Sequence, residues 1–506
     1  MATGSSAGGS RILALAAGGL AGLALPPLGS PPLLWLALAA LWWLAERPGA
    51  FWLGGLWGFA AVLVSHRWLL GLHPLTWIGV PGPLSLPLCL LLLGLCSLCG
   101  GLLVGLWLTL ARTSARWLGS RSLLWALALA GLWGLMEVAL AKGPLFWIGL
   151  GVAALPGDRS LAGLAAVLGG GGLAAIQVLL GWGLWRCLLE FRSGRWQRLV
   201  LATLLFSLTL LGLRHLGANL LLHQPLQAET LERVLVLQPA IPTREKFSGW
   251  QQQRLRRLLI AALSEATERD AALVLLPEGA LGLNPILEAA SPVELISGGF
   301  RWQPEGDALV QRSALLRFPA GALEPAATLD KHRLVPLGEW IPLQGLLRWG
   351  GLSAVGGVEP GPPSRLLARP NAPIAAAICY EISDGEALAS ATRGGAGWVL
   401  ASANLDPYPP LLQAQFQALA QLRAIETGRW LVSVANTGPT LLVTSRGTVE
   451  ARVPAHRAVT AVFELPRLRG LTGYTLLGDG PLLVVTAVAA GSALLLRWRP
   501  IGAGRP

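Results

Sequence analysis

The sequence predicts an α-helical transmembrane bundle of eight spans joined to an extracytoplasmic domain of α/β or layered α-β-β-α type. Three observations carry that expectation. At 53% hydrophobic and 13% charged residues, a 506-residue chain is too apolar for an ordinary soluble protein and too long for one compact core. The acids are unevenly placed: of 27 Asp and Glu, only Glu46, Glu137, Asp158 and Glu190 precede His223. Beyond that point strand-like and helix-like stretches alternate. The expected organisation is a membrane domain with seven helices over 1–222, the layered domain over 223–478, and a last span with a cytoplasmic tail over 479–506.

After a small, polar start, apolar runs near 12–29, 32–46, 51–72, 85–111, 122–141, 160–189 and 199–216 are the seven candidate spans, and 480–497 is the eighth. A bilayer core needs about 20 residues, so several must tilt or draw on their flanks. The run after Arg11 has the look of a signal peptide, but the apolar segments that follow at once favour a first spanning helix. Arg11, Arg47, the Arg112, Arg116 and Arg121 group, the Arg186, Arg192, Arg195 and Arg198 group, and the terminal Arg497, Arg499 and Arg505 alternate with loops almost bare of cations. That alternation puts both termini in the cytoplasm and 223–478 on the outer face. It also accounts for the net charge of +12 without a nucleic-acid partner, and no soluble segment interleaves basic and aromatic residues.

In the outer segment Val234–Gln238, Leu273–Leu276, Gly397–Ser402, Trp430–Ala435 and Thr440–Thr444 read as strands, and 249–269 and 412–427 as helices. Leu255, Leu258, Leu259, Ala262 and Leu263 share one face of the first helix, whose Gln and Arg face is solvated. The apolar, glycine-rich stretch 343–363 either dips into lipid or covers a site, or else packs on the domain. Glu137 lies inside the fifth apolar run and is expected to play a structural part, paired near Lys142.

The chemistry centres on Pro373–Glu381, a buried strand of small and β-branched residues that ends on Cys379 and then turns polar. Cys89, Cys96, Cys99 and Cys187 lie in the apolar half and read as packing residues, which leaves Cys379 as the one thiol of the outer segment. An isolated cysteine is more often a core residue, but two other stretches shift the balance. Leu273–Gly279 is an apolar strand that ends on Glu278, and Asp330–Glu339 offers Lys331 and Glu339. An acid, an ammonium and a thiol, each at the end of an apolar segment, are what nucleophilic catalysis by cysteine needs. Glu278 takes the proton, Lys331 favours the thiolate and, with a backbone N–H near Tyr380, meets the developing oxyanion. Glu339 and Glu381 are candidate supports, and Glu339 orients Lys331 or Glu278.

These residues carry a resemblance. Leu-Pro-Glu278-Gly, Lys331-His-Arg-Leu-Val-Pro-Leu-Gly-Glu339 and Ile-Cys379-Tyr380-Glu381 are similar to the Glu-Lys-Cys motifs of the nitrilase, or carbon–nitrogen hydrolase, superfamily. With seven apolar runs before and one after, the chain resembles the bacterial apolipoprotein N-acyltransferase family over nearly its whole length. The resemblance implies a nitrilase-like α-β-β-α sandwich on the outer face of the plasma membrane. It implies transfer of an acyl chain from a phospholipid donor to the α-amino group of a diacylated apolipoprotein acceptor. It also implies Glu278 as general base, Lys331 as oxyanion stabiliser, Cys379 as acylated nucleophile, and Glu339, Tyr380 and Glu381 as supports. Two stretches depart from the family pattern: Lys246-Phe247 where Lys-Trp is common, and Asn404-Leu405-Asp406-Pro407-Tyr408-Pro409 where an Asn-Asp-Ala-Trp-Phe-Gly type of loop is common.

The residues agree with that implication, because a donor that never leaves the bilayer requires the thiol at the membrane surface. Exchange of ester for thioester is nearly balanced and amide formation is downhill, so the expected reaction is ping-pong and uses no nucleotide, metal or other cofactor. Nothing in it requires more than a monomer among membrane lipids. Two alternatives stand against it: a membrane-anchored amidase of nitrilase type, whose acyl-enzyme is discharged by water, and a transporter whose outer domain only binds solute.

Overall fold

The structure, a computed structural model, describes residues 4–78, 80–119, 122–246, 248–306, 308–336, 338–340 and 357–497. The apolar half folds as α1 (Gly4–Ala24), α2 (Pro31–Ala45), α3 (Ala50–Ser65), α4 (Gly82–Leu118), α5 (Leu123–Ala141), the single turn α6 (Arg159–Ala162), α7 (Ala165–Arg192) and α8 (Trp196–Leu222). The last two long runs and those of α4 and α5 are long and apolar enough to cross a membrane, whereas α1, α2 and α3 are apolar but shorter. Close approach binds α3 to α4: a Cβ on Gly58 would stand 2.4 Å from the Gly100 carbonyl oxygen, so only glycine fits. Trp42 meets Trp107 and Trp125 with centroids 5.1 and 5.0 Å apart, tying α2 to α4 and α5.

Three expectations change in detail. The run 51–72 is helical only to Ser65, and Arg67–Leu72 tighten into a 3₁₀ turn after His66. The run 160–189 is broken, because Gly169 at φ 66° leaves the helical region and the Tyr474 ring fills the place a side chain would need there. Glu137 takes hydrogen bonds from Trp133 Nε1 (2.9 Å) and the Leu150 N–H (3.0 Å), while Lys142 pairs with Asp479 at 3.6 Å. Its partners are thus an indole and a backbone amide, not the lysine.

After α8 the chain enters β1 (Gln227–Gln238), α9 (Gly249–Glu268), β2 (Leu273–Leu275), β3 (Glu294–Glu305), β4 (Ala308–Phe318) and β5 (Ala327–Asp330). A second series follows: β6 (Leu366–Leu367), β7 (Ile374–Ile378), α10 (Gly385–Arg393), β8 (Val399–Ala403), α11 (Pro410–Thr427), β9 (Leu431–Ala435), β10 (Leu441–Val443), β11 (Val449–Arg452) and β12 (Val459–Arg469). α12 (Gly473–Leu477) and the short apolar helix α13 (Gly480–Arg497) close the chain.

Two six-stranded sheets result, in the orders β12-β1-β2-β3-β4-β5 and β11-β10-β9-β8-β7-β6. The neighbours β1-β2-β3 and β7-β8-β9 run parallel, and the outer strands pair antiparallel. Alternation along the strands builds the layers. Val234, Val236, Leu273, Leu275 and Ile296 pack with Ile374, Ala376, Val399 and Val432 of the other sheet, while Leu235, Leu237, Val274, Leu276 and Leu295 pack under α9. The parallel centre of the second sheet is buried throughout, which suits its run of Ala and Ile. A membrane-type helical part is thus joined to an α-β-β-α sandwich.

Buried ions lock the two sheets together: Arg369 bonds Glu232 of β1 and Glu294 of β3, both at 2.6 Å. Every buried charge in that cluster has its partner, as a low-dielectric site demands.

Candidate active site

The carboxyl ends of the parallel strands converge, and the predicted residues meet there. Cys379 follows β7 directly and has φ +54°, in the left-handed region that a non-glycine residue rarely adopts. The chain turns at once into the 3₁₀ segment Cys379–Ser383, which holds the sulfur at the strand mouth, 5% exposed. Lys331 follows β5 and is 1% exposed; its Nζ donates to Glu278 Oε1 at 2.7 Å and to Glu339 Oε1 at 2.8 Å. Glu278 comes from the turn after β2, which passes so close to β3 that a Cβ on Gly298 would lie 2.5 Å from the Glu278 Cα. The other Glu278 oxygen accepts the Asn404 N–H at 3.0 Å, and Glu339 Oε2 accepts the Val335 N–H at 2.8 Å.

Glu381 knits the loops. It takes hydrogen bonds from the N–H groups of His332 (2.7 Å) and Ile378 (2.9 Å) and from Arg365, whose Nη1 lies 2.7 Å from both its oxygens. The lysine loop and the cysteine strand are thereby fixed to one carboxylate. Tyr380 gives its N–H to the Cys379 sulfur, while its ring meets Phe146 from the membrane part at 5.4 Å and its hydroxyl bonds Tyr408. Arg333 reaches the same part, donating to the Gly143 carbonyl at 2.5 Å and to Ser383 Oγ at 2.6 Å.

Electrostatics follow from burial. Burial works to discharge Lys331, but Glu278 and Glu339 overcome it and hold its pKa well above the usual lysine range. Burial pushes Glu339 up, against the pull of Lys331. Burial and then the Glu278 charge push the Cys379 thiol well up, with Lys331 working the other way. Lys331 thus favours the Cys379 thiolate, as expected, but burial and the Glu278 charge outweigh it and the resting thiol keeps its proton.

Sequence reasoning gave no role to Arg365 or Arg333, and noted Lys246 and Asn404 only as parts of stretches that depart from the family pattern. The departing loop 404–409 is where Asn404 holds Glu278 and Tyr408 stacks edge-on with Trp68, 5.6 Å away. A cavity of about 560 Å3 runs from Glu278, Lys246, Asn404 and Asn436 along Leu255, Leu259 and Leu263 of α9. Among the described residues no three His, Cys, Asp or Glu come together as a metal site. Residues 341–356 of the apolar stretch, and Phe247, lie outside the described residues. The end of that stretch packs on the domain, with Val358 2% exposed and the Gly361 N–H bonded to the Lys331 carbonyl at 2.8 Å.

Comparison with known proteins gives this arrangement its relatives. Residues 17–183 match the family model described as the apolipoprotein N-acyltransferase N-terminal domain. A protein of Prochlorococcus marinus (strain MIT 9313) named apolipoprotein N-acyltransferase is 48% identical over 504 residues, covering 97% of this chain and 98% of its own. One of the same name from Parasynechococcus marenigrum (strain WH8102) is 49% identical over 467 residues, covering 91% and 96%. Among solved structures, that of Saccharomyces cerevisiae Nit3, described as a member of branch 10 of the nitrilase superfamily, aligns over 47% of this chain and 91% of its own at 16% identity and a TM-score of 0.36. With near-complete overlap at almost half identity, this chain belongs to the apolipoprotein N-acyltransferase family.

Proposed function

We propose that Cys379 carries the acyl group in the reaction of this family, transfer of an acyl chain from a membrane phospholipid to the α-amino group of the N-terminal S-diacylglyceryl-cysteine of an apolipoprotein. The observation that carries the assignment is the Lys331 ammonium held between Glu278 and Glu339 beside a cysteine on a strained turn. In the first half Glu278 takes the thiol proton as Sγ attacks the ester carbonyl carbon. The oxyanion forms against Lys331, and collapse expels the lysophospholipid oxygen, which takes the proton back from Glu278. In the second half the acceptor nitrogen attacks the thioester and gives its proton to Glu278. The C–S bond breaks, the sulfur recovers that proton and the amide is complete. Glu339 and Glu381 act through Lys331 and the loops, and Tyr380 supplies an N–H at the sulfur.

The remaining layout belongs to the same proposal. Eight apolar helices cross the plasma membrane, the shorter ones helped by flanking residues, with both termini cytoplasmic. The boundaries fall at 222 and 478, the layered domain faces outward, and one copy contains every residue named, so the enzyme acts as a monomer. The test is to incubate purified protein with labelled phospholipid and find the acyl adduct by mass spectrometry. An adduct on Cys379 that a diacylated lipopeptide discharges is expected. Discharge by water at the same rate overturns transfer in favour of hydrolysis.

A further inference from the structure

The reaction as assigned leaves one charged group unused. Lys246 lies in the turn between β1 and α9, half-buried, and its Nζ occupies the space a side chain on Gly279 would take: a Cβ there would stand 2.7 Å from it. Gly279 follows Glu278 and has φ +59°, so the residue after the base is one without a side chain, and an ammonium fills the gap. The Phe300 ring lies beneath, its centroid 5.9 Å from Nζ. Among the described residues no hydrogen bond or ion pair engages this ammonium, yet it lines the same cavity as Glu278 and feels that charge.

Charge counting gives the consequence. Glu278 and Glu339 carry two negative charges and Lys331 one positive, which leaves the buried cluster one negative charge in excess. A buried, uncompensated charge is costly, and an anionic cluster opposes both the oxyanion and the sulfur that must become anionic. We infer that Lys246 is a positioning residue for acyl transfer, the fourth charge that makes the Glu278–Lys331–Glu339 cluster neutral. The other charged groups around it are Arg256 and Glu288 across the cavity, mutually compensated at 2.8 Å; Asp406, which accepts the Thr243 N–H; and Arg244 and Glu245 in its own turn. Burial lowers the Lys246 pKa to about 8 while Glu278 works to raise it, so the fourth charge is present at neutral pH and lost just above it.

The inference rests on Cys379 as the acyl carrier, and the experiment separates the two. Single-turnover acylation of the full chain by phosphatidylglycerol with a labelled acyl chain is followed across a pH series for the wild type, Lys246→Met, Lys246→Arg and Cys379→Ala. Iodoacetamide labelling of Cys379 in each protein that retains it reports whether the site is folded. Lys246→Met is expected to acylate about tenfold to a hundredfold more slowly at neutral pH while still labelling at Cys379. Lys246→Arg, charged throughout the series, is expected to keep most of the rate and to extend it to higher pH than the wild type. Identical profiles for the three Lys246 forms overturn the inference. Transfer that survives Cys379→Ala overturns the underlying assignment instead, whatever the Lys246 variants do.

Discussion

At the scale of single residues, the site is organised by which carboxylate holds what. Glu339 is buried against Lys331 and spends its second oxygen on the Val335 N–H, while Glu278 shares the same ammonium and spends its second oxygen on the Asn404 N–H. Glu339→Gln keeps the shape and removes the charge. Lysophospholipid release should slow roughly a hundredfold, with the adduct still confined to Cys379; an unchanged rate would show that Glu278 alone secures the lysine. Glu381 has a different task. With Arg365 it forms a buried pair, 2% and 3% exposed, and three backbone N–H groups also depend on it. Glu381→Ala leaves a buried guanidinium unpaired, a loss of about 3–5 kcal/mol, and should cost folded protein before it costs chemistry. Thermal unfolding in detergent reads this directly: a melting point equal to wild type would assign Glu381 to the reaction itself.

At the scale of elements, the three candidate positions lie at or just beyond strand ends, which made two of them legible in the sequence. Glu278 and Cys379 follow the continuous apolar runs of β2 and β7, whereas Lys331 follows β5, a strand the sequence did not show, and was found from the charged stretch Asp330–Glu339. The β3–β4 hairpin was not seen because Gly298-Gly299 and Pro304 interrupt its pattern, although its register runs unbroken from Leu295↔Phe318 to Glu305↔Ala308. β12 was missed for another reason: it pairs with β1 from the far end of the domain, Gln227 opposite Arg469, and no local pattern announces a partner so distant. Arg365, Asn404 and Lys246 sit in loops, where a polar residue turned inward reads the same as one in water. Arg333 belongs with them. It caps the end of α5 through the Gly143 carbonyl, Ser383 Oγ donates to the Ala141 carbonyl at 3.0 Å, and the two side chains bond each other. Helix α5 therefore holds the lysine loop and the cysteine turn together, with a cation at its carboxyl end. Arg333→Met should lower kcat about tenfold or more, and Arg333→Lys should restore only part, since one ammonium cannot span the Gly143 and Tyr380 carbonyls and Ser383 Oγ together. Full recovery with Lys would mean that charge alone matters there.

At the scale of the whole molecule, the catalytic half is seated on the membrane half through polar contacts as well as packing. Just past the break at Gly169, the Gly170 N–H donates to Glu426 Oε1 of α11 at 2.7 Å, and the other oxygen pairs with Arg423 at 2.8 Å. The kink in α7 frees a helix N–H that the sandwich accepts, so a glycine break in one half and a buried acid in the other form one joint. Burial pushes the Glu426 pKa up to about 7, against the pull of Arg423 and the Gly170 N–H. A carboxyl raised in the folded state binds more protons folded than unfolded between its ordinary value and about 7. Its contribution is complete below the ordinary carboxylate pKa and is lost as pH rises through about 7, worth up to about 3 kcal/mol. Glu426→Gln keeps an oxygen for Gly170 but cannot ionise, so this part of the slope should vanish. Melting curves by tryptophan fluorescence from mildly acid to neutral pH should show the wild type losing stability relative to the Gln variant as pH rises. Parallel curves for the two proteins would place the ionisation of Glu426 outside this window, and the joint would then rest on its packing and backbone contacts alone.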